Sequence, residues 1–215
     1  MPLRPRPKSW CGTLLRRNQP FCELSKAKVG LLFGSFNPIH TGHLILAEFM
    51  ATHTDLDAVW LVVSPQSPFK VGEELLPEAE RYALVQAAIA NNPRLRVLDI
   101  EFGMPKPNYT IHTLDTLRQQ YPLQDFVLLM GGDNLPGLPR WKEASRIMAE
   151  YSIYVYPRPG TPIAEVTAQV RIVEAPLLDI SATFIRGCVR AGRSIRYMVP
   201  AAVDELIKRN KYWQA

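Results

Sequence analysis

The chain predicts an α/β fold: a Rossmann-like, doubly wound parallel sheet with helices on both faces. Two observations carry that expectation. Residues 29–33, 58–63, 126–130 and 153–156 are apolar throughout instead of alternating, as strands buried on both faces are. The stretches between them carry cap residues and helical spacing, and strand–helix alternation calls for parallel strands joined by crossover helices. No internal repeat interrupts the pattern.

The first strand, 29–33, runs into Gly34-Ser35-Phe36-Asn37-Pro38-Ile39-His40-Thr41-Gly42-His43. Gly34 and Gly42 carry no Cβ and so allow the backbone to approach a ligand closely, while Pro38 fixes one φ angle. A helix over 41–52 follows. Its start would aim free N–H groups and a partial positive charge past the strand end, a setting that favours phosphate. If that helix begins near Ile39, His40 and His43 share one face of its first turn.

Strand 58–63 ends in a proline-punctuated loop, 64–70, that carries Lys70. Pro77 is expected as the first helical residue, with Glu78 and Glu80 in the first turn and a stop near 91–93. Strand 95–98 comes next, then a loop over 101–108 containing Gly103, Pro105 and Pro107. Thr110 is expected to cap a helix running to residue 120. Strand 126–130 delivers Gly131-Gly132-Asp133-Asn134. A helix over 141–149, a strand over 153–156 and a last strand over 170–173 follow. Ser181 caps a helix bearing Thr183 and Arg186, and Pro200 opens a final helix.

The composition supports one domain. With 215 residues and 47% hydrophobic content the chain builds one sizeable core. Residues 1–26 hold six Lys/Arg and one acid, a balance of +5; residues 27–215 therefore hold 19 bases and 19 acids, a balance of zero. The first segment, with four prolines, reads as a basic, disordered extension. The second reads as the single folded domain, and its neutrality speaks against a dedicated nucleic-acid-binding face. Three scattered cysteines form no metal spacing or disulfide framework, which suits a reducing cytoplasm, and no apolar run reaches membrane-spanning length.

In an open parallel sheet, ligands sit beyond the carboxyl ends of the strands. Five polar clusters fall there: the His40/His43 turn, the Lys70 loop, Asn108-Tyr109-Thr110, Gly131-Gly132-Asp133 and the Ser181–Arg186 helix start. Two histidines, a lysine, an arginine, hydroxyls and helix N-termini make a set for handling phosphate. There is no Walker loop, no G-x-G-x-x-G and no serine elbow. His40 and His43 lack the acidic partner of a zinc helix. The expected chemistry is therefore positioning and charge stabilisation at a phosphorus centre, without a covalent intermediate.

G-S-F-N-P-I-H-T-G-H, followed far downstream by I-S-A-T-F-I-R over 180–186, resembles the nucleotidylyltransferase superfamily. Within it, Pro107-Asn108-Tyr109-Thr110, Gly131-Gly132-Asp133-Asn134-Leu135 and Arg140-Trp141 resemble bacterial nicotinate-nucleotide adenylyltransferase, over about residues 28–213. The resemblance implies adenylyl transfer from ATP to nicotinate mononucleotide, giving nicotinate adenine dinucleotide and pyrophosphate, a step in NAD synthesis. It implies Mg²⁺, held mainly by the ATP phosphates. His40, His43, Lys70 and Arg186 would be catalytic. Gly34, Ser35, Phe36, Asp133, Ile180, Ser181 and Thr183 would join His40, His43 and Arg186 around ATP. Lys70, Tyr109, Thr110 and Trp141 would take the mononucleotide, with Lys70 also reaching the β- and γ-phosphates and Trp141 stacking on the pyridine ring. The partners implied are small molecules, with a homo-oligomer left open and no nucleic acid or membrane.

Departures from the family pattern stand at Asn37, where many members have Asp; at Phe69, where many have His; and at Phe184, often acidic. The residues on their own also allow plainer readings: Trp141 as core, Asp133 as a turn residue, Lys70 as a solvated charge and Arg186 on an exposed helix face. The rival functions are phosphopantetheine adenylyl transfer, a non-catalytic nucleotide sensor, and RNA binding through the basic extension.

Overall fold

In the computed structural model, residues 26–65, 75–157, 169–176 and 178–214 are described. The expected extension, apart from Lys26, and residues 66–70 of the Lys70 loop lie outside them. Ala27–Gly34 (β1) and Ala58–Val63 (β2) pair in parallel, with Val29 to Leu32 and Val59 to Val63 buried. Leu95–Leu98 (β3), Gln124–Gly131 (β4), Ser152–Tyr156 (β5) and Val170–Ile172 (β6) complete a sheet of order β3-β2-β1-β4-β5-β6. Every pairing is parallel.

Successive β2 residues divide between the two faces. Val59, Leu61 and Val63 pack into one core with Met50, Leu84, Val85, Ile185 and Ile207; Trp60 and Val62 pack into the other with Ile111, Leu114, Leu117 and Ile147. Thr41–His53 (α1), Glu78–Ile89 (α2), Ala182–Arg190 (α5) and Ala201–Arg209 (α6) cover the first face. Thr110–Gln120 (α3) and Ala144–Glu150 (α4) cover the second. The doubly wound expectation is met. The strand order reverses between β1 and β4, so a crevice opens above their carboxyl ends. Among the described residues no helix is long and apolar enough to cross a membrane.

α1 starts at Thr41 as expected, so His40 is its cap position. Three other element boundaries differ from expectation. Pro77 caps α2 instead of opening it. Tyr109, not Thr110, holds the cap position of α3 and makes no side-chain capping bond. Trp141 closes a short 3₁₀ turn, Leu135–Arg140, and α4 begins three residues later. Pro136 and Pro139 lack the N–H that α-helical bonding needs, so this stretch tightens into a 3₁₀ turn.

Candidate active site at the carboxyl rim of the sheet

The turn after β1 builds the first wall. Phe36, buried and left-handed at φ 44°, folds its ring back over Gly34, where a Cβ would lie 2.8 Å from the ring. The ring also meets His43 edge to face, centroids 5.1 Å apart. A Cβ on Gly42 would lie 3.1 Å from the His40 ring. The space these glycines leave thus admits the chain's own aromatic rings. His40 and His43 stack at 3.7 Å between centroids, so the spacing of three does bring them together. His43 Nδ1 accepts the backbone N–H of His40 at 3.3 Å. In neutral His43 the proton then belongs on Nε2, which becomes the donor.

α5 supplies the second wall. Ser181 caps it as expected, its Oγ accepting the Phe184 N–H at 3.2 Å. Arg186 is buried, which corrects the exposed-face reading. Its Nη1 donates to the Asn37 carbonyl at 2.8 Å and its Nη2 to Thr183 Oγ1 at 3.2 Å. Among the described residues these bonds use two of the five guanidinium N–H groups. Asn37 to Arg186 spans 149 positions, so one contact joins the two end motifs. Ile180 is half-buried against the first core, and Thr183 is exposed on the first turn of α5.

β4 delivers the third wall. Gly131 and Gly132 are buried, and Asp133 stands exposed at the strand's end. The start of α3 presents Tyr109, at its cap position, and Thr110, both half-buried. Lys142 places its ammonium 4.6 Å from the Tyr109 ring centroid. That contact sets the Trp141 segment beside Tyr109. Trp141 itself is half-buried against the second core, neither wholly inside nor free.

Two buried polar residues under the rim escaped the sequence reading. Arg81, only 1% exposed, donates to four backbone carbonyls: Leu76 at 2.9 Å, Ser35 at 2.7 Å, Ser64 at 2.7 Å and Pro65 at 2.9 Å. Burial lowers its pKa from the usual arginine value. Its sequence signal was its place on the apolar face of α2 that also carries Leu84, Val85 and Ile89. Glu101, 3% exposed, accepts from Thr113 Oγ1 at 2.7 Å, while its carbonyl accepts from Asn108 Nδ2 at 3.2 Å. Burial pushes the Glu101 carboxyl up, against the hydrogen bonds from Thr113 and Ser64.

The walls together form a rim of helix N-termini, paired imidazoles and a guanidinium at the point where strand order reverses. The family model described as "Cytidylyltransferase-like" matches residues 31–187. A Cytophaga hutchinsonii protein named "Probable nicotinate-nucleotide adenylyltransferase" is 53% identical over 188 residues, 86% of this chain and 98% of the relative. The chain belongs to the nicotinate-nucleotide adenylyltransferase family. A family member of the same name from Bacteroides fragilis is 46% identical over 186 residues, covering 86% of this chain and 92% of its own length. Among solved structures, the Plasmodium falciparum nicotinic acid mononucleotide adenylyltransferase complexed with NaAD superposes with TM-score 0.71. It is 16% identical and covers 86% of this chain and 97% of its own, so this match concerns the fold.

Proposed function

We propose that the chain transfers the adenylyl group of ATP to nicotinate mononucleotide, releasing pyrophosphate and forming nicotinate adenine dinucleotide for NAD synthesis. Family membership supports the reaction. The observation that carries the site is the Arg186–Asn37 contact, because it joins the two end motifs.

An oxygen of the mononucleotide phosphate attacks the α-phosphorus in line. The new P–O bond forms as the bond to the β-bridging oxygen breaks, and pyrophosphate leaves with that electron pair. His43 Nε2–H and His40 stabilise the charge that grows on the α-phosphate. The free N–H groups of Arg186 and the N-terminus of α5 hold the β- and γ-phosphates, with Ser181 and Thr183 alongside. Lys70, outside the described residues, keeps the phosphate role that its sequence position implies. Gly34, Ser35 and Phe36 line the nucleotide through backbone groups, since the Phe36 ring is committed to the core. Asp133 meets a ribose hydroxyl, and Tyr109, Thr110 and Trp141 receive the pyridine ring and its carboxylate.

Among the described residues no group of three or more His, Cys, Asp or Glu side chains could hold a metal. Mg²⁺ would be bound mainly by phosphate oxygens and water, with Asp133 as an outer carboxylate. When bound, the cation neutralises triphosphate charge. The cytoplasm, where ATP and mononucleotides are found, is the proposed location.

The test is pyrophosphate release by purified protein with ATP, Mg²⁺ and nicotinate mononucleotide, run beside nicotinamide mononucleotide and phosphopantetheine. A kcat/KM highest for nicotinate mononucleotide is expected. Nucleotide binding with no turnover on any acceptor would overturn the reading.

A further inference from the structure

We infer that Arg81 is a positioning residue for this site: from beneath the rim it fixes the phosphate-side turn after β1 against the exits of β2 and the entry to α2. The inference rests on the function proposed above for what it predicts about turnover, but not for what it predicts about nucleotide binding.

Arg81 satisfies no secondary structure of its own with its side chain. Its four bonds go to carbonyls from three separate stretches: Ser35 in the turn between β1 and α1, Ser64 and Pro65 just after β2, and Leu76 just before α2. Ser35 lies 46 positions away in sequence and Leu76 lies five. Pro65 is the last described residue before 66–74 and Leu76 the second after it, and both are bonded to this one guanidinium.

Leu76 is held from its other side too. Its N–H donates to Asn37 Oδ1 at 3.1 Å, so both of its backbone polar groups end on buried side chains. Asn37 is the same residue whose carbonyl accepts from Arg186. A continuous path of hydrogen bonds thus runs Arg186–Asn37–Leu76–Arg81–Ser35, entering and leaving the turn that carries His40 and His43.

The choice of arginine follows from the geometry. A planar fork with five N–H groups can serve carbonyls on several sides at once; a lysine ammonium on a flexible stem offers three donors from one point. An apolar side chain of similar volume would leave four backbone carbonyls without their donor. The guanidinium lies buried under the turn where the phosphates would lie, and its bonds fix that turn's backbone. Preorganised backbone is what a site working by positioning requires, and small displacements there weaken it steeply.

The experiment compares the wild-type chain with Arg81→Lys and Arg81→Met. Thermal melting is recorded first, and all assays run well below the lowest midpoint. The Kd for ATP is measured by calorimetry without acceptor, and kcat and KM are measured for both substrates. The expected result is a folded Arg81→Lys protein whose ATP affinity falls about tenfold and whose kcat falls tenfold or more, with the KM for the mononucleotide moving less than threefold. Arg81→Met should behave the same way or worse. ATP affinity and kcat within twofold of wild type in folded Arg81→Lys would overturn the inference. Failure of both variants to fold would also overturn it, assigning Arg81 to folding alone. If the wild type itself binds ATP but turns over no acceptor, the proposed reaction fails while the ATP affinities still decide the role of Arg81.

Discussion

His43 Nδ1 accepts the backbone N–H of His40, so the cap residue of α1 orients the imidazole one turn along. The bond puts the proton of neutral His43 on Nε2, the nitrogen to which the proposed reaction assigns the phosphate oxygen. His43→Ala should lower kcat on the order of 10²-fold, the scale seen when one preorganised donor to transition-state charge is removed. The melting point should change little, since His43 is only half-buried. Steady-state kinetics with a melt on the same preparation check both statements, and an unchanged kcat would remove the assigned role.

Arg186 bonds Asn37 and Thr183 with two different nitrogens. Lysine cannot reproduce that fork. Arg186→Lys should lower kcat/KM by roughly 10- to 100-fold and destabilise the fold by about 1–3 kcal/mol, the usual cost of leaving a buried acceptor unmet. Denaturant melts and kinetics on one sample would show the two losses together.

Trp141 and Tyr109 stand on adjoining segments joined through Lys142. If the pyridine ring stacks there, Trp141→Ala should raise the KM for nicotinate mononucleotide about tenfold and leave the KM for ATP within twofold, as removal of one aromatic contact does. Equal changes in both KM values would point to a general loosening of the second core.

Glu101 titrates above its ordinary 4.5 because it is buried. Below 4.5 it is protonated in both folded and unfolded chains, and its favourable contribution is complete. As pH rises through the raised value, the unfolded chain releases its proton first and that contribution is lost. Glu101→Gln should therefore flatten the fall in melting temperature between pH 4.5 and neutrality. A wild-type profile parallel to that of the variant would count against the assignment.

Asp55 behaves oppositely. Hydrogen bonds from Lys28 and Tyr154 hold its carboxyl down at about 2, from an ordinary 3.8. Its contribution is present above 3.8 and is lost as pH falls through about 2. The group is largely exposed, so solvent screening limits this to about 1 kcal/mol or less. Asp55→Asn should cost that much at neutral pH, progressively less as pH falls from 3.8 towards 2, and leave turnover unchanged. Paired melts at the two pH values test it.

The strands were legible because burial on both faces erases alternation, and runs such as Phe126-Val127-Leu128-Leu129-Met130 admit few other readings. The histidine pair was legible because spacing alone sets which side chains of a helix start are neighbours. Trp141 was placed on the wrong element because two prolines three residues apart make a 3₁₀ turn that apolar periodicity does not distinguish from a helix. Arg81 was missed for a deeper reason. Its partners are carbonyls from three separate stretches, and carbonyl direction is a property of the folded backbone that no residue identity records.

The single reversal of strand order also divides the chain's labour. His40, His43, Tyr109 and Thr110 precede β4, whereas Asp133, Trp141 and Arg186 follow it. Between the halves runs the tight link Tyr121-Pro122-Leu123, with Leu123 74% exposed. A chain cut there would yield two pieces, each holding half of a catalyst, that recover turnover only when β1 and β4 zip together again.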